Sequence, residues 1–417
     1  MRSLILPATN ATALRWSQSS RSRVRATEAL EMKIALVDSV RRPSVYPVPL
    51  LKIGAWRRDL GDECELFTNR LPDAGEFDEI WISTIFTFDI PHAMGLVKEA
   101  VNRCDQVRVG GIAATLLPQY FEGFDCDVHQ GLLRDAEAYH PDYSLLSKEP
   151  KYSVTHTSRG CIRKCKFCMV HILEPEFVDR PGWDADLYPG AEEVLFYDNN
   201  WLAKPIDQLT RDSEMIRRLY VFRRISRIDF NQALDCRLLT EEKADLLKPL
   251  PIHPVRFAFD TMAQDGHYQD AIRMMAARGF RTFLSYVLYN YEDTPQDFYY
   301  RLKASAELVQ ELGIPAVDSF PMRYRPIMHA DPKQDYVGPH WTYQKLMGFS
   351  ALRSAHSGAA ATITTHSHHT FPPVEEFEYW FGKDADEFDR LLSYPKVRVL
   401  AERRKGAMRL HRTKASL

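Results

Sequence analysis

Three of the chain's seven cysteines fall within eight residues, in the run Ser158-Arg159-Gly160-Cys161-Ile162-Arg163-Lys164-Cys165-Lys166-Phe167-Cys168. The spacing C-x3-C-x2-C lets one loop wrap three thiolates around a single inorganic centre. A tetrahedral structural zinc needs a fourth ligand and usually draws it from a second Cys or His pair. No such pair is spaced for it here, and His171 reads more simply as a solvated or hydrogen-bonded loop histidine. An iron-sulfur cube takes four cysteines as a rule. Three leave one iron without a protein ligand, and an open coordination position is what a metal centre needs to bind a reactant. Arg159, Arg163, Lys164 and Lys166 crowd the loop, where cations favour thiolates and an anionic cluster. Cysteines grouped in this way, and odd in number, speak against a secreted disulfide framework and for a reduced, cytoplasmic setting.

The elements that must hold this loop form two alternating series. From Tyr152 to Ser319 six short apolar runs (Tyr152 to Thr155, Glu193 to Tyr197, Arg227 to Phe230, Val255 to Phe259, Thr282 to Leu288, Ala316 to Ser319) read as strands. Helical stretches lie between them, notably Asp207 to Tyr220, Glu241 to Leu247, Tyr268 to Ala277 and Thr294 to Glu311. Strand-helix alternation implies parallel pairing. A closed eight-fold barrel takes ~250 residues, so the roughly 170 available here favour an open six-fold version. Chemistry in parallel barrels gathers at the C-terminal ends of the strands, and the cysteine run sits just after the first.

At these residues the sequence resembles the radical S-adenosylmethionine (radical SAM) superfamily: Arg159-Gly160 before Cys161, then Cys165, with Phe167 before Cys168, look like its cluster signature. The resemblance implies a 4Fe-4S cluster held by Cys161, Cys165 and Cys168, whose unique iron binds the amino and carboxylate groups of SAM. It implies reductive cleavage of SAM to methionine and a 5'-deoxyadenosyl radical that acts on a substrate the sequence does not identify. The electron would come from a one-electron reductant such as flavodoxin or ferredoxin. Similarity to the family's strand ends makes Phe167, Asp198, Gln232, Asp235, Arg237 and Asp260 the SAM-pocket candidates. Asp198 ends the second strand and would meet the ammonium of SAM. Asp235 and Arg237 follow the third and would meet its carboxylate or each other, and Asp260 ends the fourth, within reach of ribose hydroxyls. After the fifth strand the chain keeps Glu292 and Thr294 but lacks the glycines of the family's turn. Thr294, Pro295 and Asp297 independently make a good helix start.

Ahead of the barrel, residues 32–134 alternate strands (Ile34 to Val37, Glu65 to Thr68, Glu79 to Ser83, Gln106 to Val109) with helices (Leu50 to Leu60, His92 to Asn102), as a Rossmann-like parallel sheet does. Such a domain before a radical SAM barrel resembles the cobalamin-binding subgroup, and the Gly110-Gly111 turn is similar to the loop that approaches the corrin there. The Asp-x-His-x-x-Gly signature is missing: in Asp127-Val128-His129-Gln130-Gly131 the glycine comes one residue early and the segment lies after the last expected strand. A cobalamin-dependent methyl transfer is therefore the subgroup-level alternative, and a metal-stabilised binding module without catalysis is the rival from another class.

The fold expected is thus α/β: a Rossmann-like sheet (32–134), a linker (135–150), a partial (β/α)6 TIM-like barrel (151–330) and a small mainly helical C-terminal cap with a basic tail (331–417), after a disordered extension over 1–31. The chain of 417 residues carries 54 Lys and Arg against 56 Asp and Glu, a net charge of −2 that gives no electrostatic reason to expect nucleic acid or a membrane as partner. No apolar run approaches the ~18–20 residues of a membrane span. The Thr365-His366-Ser367-His368-His369 segment reads as a polar loop, and the basic stretch from Arg398 to Lys414 as a solvated tail.

Overall fold

The computed structural model describes residues 31–41, 45–328, 335–356 and 372–394, with 330, 333 and 406 besides. The expected extension before residue 31, the Thr365 to His369 segment and, apart from Gly406, the basic tail lie outside the described residues.

The first domain comprises β1 (Lys33–Asp38), α1 (Val48–Asp59), β2 (Glu63–Thr68), β3 (Glu79–Ser83), α2 (Ile90–Ala100), β4 (Val107–Gly110), α3 (Ile112–Leu116), β5 (Asp127–Val128) and α4 (Arg134–Glu137). Its five strands are parallel in the order β2-β1-β3-β4-β5. β1 is buried from Ile34 onward because it is an interior strand with helices over both faces of the sheet. The sheet has one strand more than expected: Asp127–Val128, read above as lying beyond the last strand, is itself an edge strand paired to β4. Two residues are too few to show a period. The expected linker is also not loose. Within it α4 packs on α1, and Glu137 of α4 pairs with the buried Lys52 of α1 at 3.2 Å.

The second domain runs through β6 (Tyr152–Thr155), β7 (Ser158–Arg159), α5 (Val170–Leu173), β8 (Val178–Asp179), β9 (Glu193–Phe196), α6 (Ile206–Val221), β10 (Arg227–Phe230), α7 (Glu241–Leu247), β11 (Val255–Ala258), α8 (His267–Ala277), β12 (Thr282–Tyr289), α9 (Pro295–Leu312) and β13 (Ala316–Arg323). Two parallel triples, β10-β9-β6 and β11-β12-β13, are joined by the parallel bridges Ile228↔Ile252 and Leu234↔Phe257. The result is an open six-strand arc with its helices outside. α9 starts where expected: Thr294 Oγ1 accepts the Asp297 N–H, the Asp297 carboxylate accepts the Thr294 N–H, both at 3.1 Å, and Pro295 occupies the first turn. After β13, helices α10 (Tyr343–His356), α11 (Pro373–Phe381) and α12 (Ala385–Ser393) pack an aromatic cluster against α9. The hairpin β7/β8, invisible to periodicity, is what presents the cysteine loop.

Candidate cluster and cofactor site

The root of the cysteine loop is fixed before the first cysteine. Thr157 and Ser158, just past β6, donate to the Asp198 carboxylate through the Thr157 N–H (2.9 Å), the Thr157 hydroxyl (2.8 Å) and the Ser158 hydroxyl (2.6 Å). Lys204, fully buried, donates to Thr157 O (3.1 Å) and Oγ1 (2.9 Å) and pairs with Asp179 of β8 and Asp212 of α6. Gly160 then turns the chain with φ of +79°. A Cβ there would lie 2.1 Å from Glu176 O, so only glycine lets the hairpin arms approach this closely. The Glu174 carboxylate clamps the same turn, accepting from Gly160 N (2.7 Å), Arg159 (2.7 Å) and Asn199 (2.9 Å).

Cys161, Cys165 and Cys168 are free and partly buried. Burial pushes the Cys165 and Cys168 thiols up; Cys161 and Asp260 raise both further and Cys165 also raises Cys168, while Arg237 pulls Cys165 and the Val170 N–H pulls Cys168 back down. The three sulfurs therefore share one electrostatic neighbourhood. Cys161 Sγ accepts from Arg163 N (3.4 Å) and Asn200 Nδ2 (3.7 Å). Among the described residues no three His, Cys, Asp or Glu side chains converge as a single metal ion requires. Zn–S bonds of about 2.3 Å would bring sulfurs to within roughly 3.8 Å of one another; a cube, which takes each thiolate on a different iron, asks for a wider spread. One loop thus offers three thiols, each of which would take a different iron of such a cube.

The cations around the loop act differently from the expectation. Arg159 pairs with Glu137 (2.6 Å) and Glu174 rather than with thiolates, Arg163 pairs with Asp235 (2.7 Å), and Lys164 and Lys166 are exposed. Carboxylates placed opposite by the fold outbid the neutral thiols for the guanidinium groups. Arg237 is the cation that lowers Cys165.

Asp235 is the hub between barrel and loop. It accepts from Arg163 Nε (2.7 Å), Arg237 Nε (2.7 Å), the Arg237 N–H (3.2 Å) and Asn200 Nδ2 (3.3 Å). Burial alone would raise its carboxyl, but the bonds and charges of Arg237 and Arg163 outweigh it and hold the group below the usual range. Asp198 is opposite in sense: burial pushes it up against the hydrogen bonds from Ser158 and Thr157. It sits beneath the loop as a pin rather than at the mouth. The neighbouring Asn200, 3% exposed, takes the mouthward place, and its Oδ1 has no hydrogen-bond partner. Asp260 closes β11 with Oδ1 on the Leu288 N–H (3.2 Å). Burial pushes it up to about 6 against the pull of Arg301. Gln232 is exposed, and Phe167 meets Tyr291 edge to face at 5.7 Å.

Sequence reasoning missed Arg301. This buried residue of α9 donates to Phe259 O, Asp260 O and Leu288 O at 2.7–2.9 Å and to Asp293 at 3.0 Å, tying together the C-terminal ends of β11 and β12. An arginine on the apolar face of a helix, surrounded by Phe298, Leu302 and Ser305, was the available signal.

A cavity of about 310 Å³ opens between the C-terminal edge of the first sheet and the cysteine loop. Gly110, Gly111 and His129 form one wall and Val170, Leu173 and Glu174 the other. Gly111 has φ of +98°, and a Cβ on it would lie 2.4 Å from Thr84 O. The lining is mostly apolar, and Nε2 of His129 is buried without a hydrogen-bond partner. The glycine turn and the imidazole thus border a space of small-molecule size.

No protein-family model and no curated protein matches the sequence. Among solved structures, the radical S-adenosylmethionine methyltransferase TsrM from Kitasatospora setae, with cobalamin and a [4Fe-4S] cluster bound, is similar over 93% of this chain and 99% of its own, at TM-score 0.53 and 13% identity. TsrM with tryptophan substrate and the SAM analogue aza-SAM is similar over 84% and 83%, at TM-score 0.51 and 14% identity. The chain has the radical SAM fold. Likeness over 93% of the chain takes in the α/β domain as well as the arc. Within that fold Cys161, Cys165 and Cys168 lie past the first strand of the arc, Asn200 past the second, Asp235 and Arg237 past the third and Asp260 past the fourth. The described helices include none long and apolar enough to cross a membrane.

Proposed function

We propose that the chain is a radical SAM enzyme whose cluster is held by Cys161, Cys165 and Cys168. The observation that carries this reading is the three-thiol loop at the C-terminal end of the arc, electrostatically coupled within itself and braced through Arg163 by Asp235. When bound, a 4Fe-4S cluster supplies the electron that splits the SAM sulfonium into methionine and a 5'-deoxyadenosyl radical. The protein binds and orients. The unpartnered Oδ1 of Asn200 would accept from the SAM ammonium, Arg237 would offer donors to its carboxylate, Asp260 would accept from the ribose hydroxyls, and Phe167 would flank the adenine. Asp198 and Asp235 support from behind, and Gln232 stands at the surface. The Arg237 guanidinium is fixed by Asp235 and the Asp260 carboxylate by the Leu288 N–H, so little reorganisation is left for the moment of binding.

The cavity between the domains favours a second reading, that cobalamin binds there and the reaction is a methyl transfer. A glycine turn that brings backbone to the cavity and an imidazole at its wall fit a corrin edge, and TsrM, which shares the fold, carries cobalamin.

The test is anaerobic reconstitution with iron and sulfide, followed by SAM and a strong reductant. A brown protein with about four irons that releases 5'-deoxyadenosine supports the radical reading. Retention of a cobalamin spectrum after desalting, with S-adenosylhomocysteine as the SAM product, supports methyl transfer. A colourless protein holding one zinc would defeat both.

A further inference from the structure

The lumen face of the arc is more exposed than the face beneath its helices. Along β12 the residues alternate, with Phe283, Ser285, Val287 and Tyr289 buried and Thr282, Leu284, Tyr286 and Leu288 only half so. The buried set faces outward. Ser285 shares a hydrogen bond with Tyr268 of α8, and Ser319 of β13 donates to Ser305 of α9 at 3.1 Å. One residue on, Tyr286 and Phe320 must face the lumen, and they pair in register with rings 5.9 Å apart, edge to face. Phe320 is 38% exposed and the next lumen-facing residue, Met322, is 43% exposed, whereas Ser319 is 2% exposed. Barrel interiors of this kind are ordinarily packed. Here Phe320, met on one side by the edge of Tyr286, and Met322 leave a large apolar surface open along the wall.

The wall has a floor and a direction. Below it, Arg256 of β11 forms a bidentate pair with Asp229 of β10 (2.6 Å each) and donates to Tyr286, whose hydroxyl reaches Asn231 O at 2.8 Å. Above it the alternation continues past β13, since Tyr324 N donates to Tyr289 O at 2.8 Å. Tyr324 meets Tyr291 at 4.7 Å, and Tyr291 meets Phe167 of the cysteine loop at 5.7 Å. Aromatic rings therefore run from the floor of the lumen to the residue beside Cys168, with a thioether among them.

We propose that this wall is the substrate platform, and that its ligand is a planar aromatic molecule lying against Phe320 and Met322 below the cysteine loop. Ring edges and faces, together with a polarizable sulfur, reward an aromatic guest over an aliphatic one of the same size, through stacked or edge-to-face contacts and sulfur-ring contacts. The floor pair is already satisfied and offers no unpaired charge for a highly charged substrate. The assignment rests on the radical SAM reading for its role in turnover but not for binding itself.

The experiment uses the full chain, reconstituted anaerobically, and saturation-transfer NMR with L-phenylalanine, L-tryptophan and L-cyclohexylalanine as probes; the first and last differ only in ring aromaticity. The expected result is transfer to the aromatic ring protons, at least tenfold weaker binding of cyclohexylalanine, and a further loss of at least tenfold in both Phe320→Ala and Met322→Lys. Circular dichroism and iron content report that the variants fold. Aromatic probes that bind no better than cyclohexylalanine, or that bind Phe320→Ala undiminished, overturn the platform. If the protein releases 5'-deoxyadenosine but binds no aromatic probe, the platform falls and the radical reading stands. If it binds the aromatic probes at Phe320 but never cleaves SAM, the platform stands and the radical reading falls.

Discussion

Gly160→Ala separates the cluster loop from the rest of the fold. At φ of +79° an L-residue costs about 1–2 kcal/mol relative to glycine. The added Cβ would stand 2.1 Å from Glu176 O, 2.8 Å from Glu176 C and 3.1 Å from Glu174 O, all backbone, so no side chain can swing away. To reach ordinary contact the 174–176 segment must retreat by roughly 1 Å. That retreat pulls the Glu174 carboxylate off Gly160 N, Arg159 and Asn199. Losing one hydrogen bond to a charged group costs about 1.5–3 kcal/mol, so the total is about 2.5–5 kcal/mol, borne by the loop and not by the helix-covered core. In binding terms this is on the order of a hundredfold or more. The assay is iron content and visible absorption after anaerobic reconstitution, against Gly123→Ala, where nothing lies within 4 Å of the new Cβ. The variant should stay folded and colourless while the control turns brown. A Gly160→Ala protein that loads iron like the wild type would refute the claim that this turn presents the thiols.

Lys204→Met leaves Asp212 buried opposite a methyl group and frees Thr157, so unfolding in urea should reveal a loss of about 3–5 kcal/mol. Asp235→Asn weakens the charge-assisted bonds to Arg163 and Arg237 and should lower stability by about 1.5–3 kcal/mol while loosening cluster retention. Asp179, held down to about 2 by Arg211 and Lys204, adds stability that is present above about pH 4 and lost as pH falls through its folded value, so wild-type stability should fall more steeply between about pH 4 and pH 2 than that of Asp179→Asn, the two converging at the acid end. Asp260 has the reverse sign. Its folded pKa of about 6 lies above the unfolded ~3.9, so its contribution is fully present below pH 4 and lost as pH rises through 6. Asp260→Asn keeps the acceptor for Leu288 N and should gain about 2–3 kcal/mol at pH 8, a gain that vanishes toward pH 4. Equal effects at both pH values would show that the carboxylate is not destabilised by burial.

The regular elements were legible because their period is written in long enough runs. α7 and the strands Tyr152–Thr155 and Arg227–Phe230 fall where the sequence puts them, and α9 announces itself through Thr294, Pro295 and Asp297. What escaped is short or long-range. β5 and the hairpin β7/β8 have two residues per strand, below any period. The open lumen could not be read either, since an apolar residue such as Phe320 looks the same in a packed barrel as in an unfilled one.

At the site, residue type was legible and partner was not. The C-x3-C-x2-C spacing needs no tertiary information, because one loop supplies all three sulfurs. The acids and amides at strand ends depend on which way each side chain turns, and a single residue reverses that. In Asp198-Asn199-Asn200 the carboxylate looked like the natural partner for an ammonium group, yet it points down onto Thr157 and Ser158, where hydroxyl and N–H donors saturate it. Two residues later, Asn200 shares the mouth with Cys161 and Asp235 and keeps an oxygen unpartnered. The same physics moved the arginines. Beside the cysteines in sequence, Arg159 and Arg163 read as thiolate partners, but the fold sets Glu137, Glu174 and Asp235 against them, and a carboxylate wins a guanidinium from a thiol whose own burial keeps it protonated. The cation left acting on Cys165 is Arg237, past the third strand of the arc, which makes Arg237→Gln the substitution that should shift Cys165 reactivity most: slower alkylation by iodoacetamide near neutral pH in the cluster-free protein, where Arg163→Gln should leave the rate close to wild type.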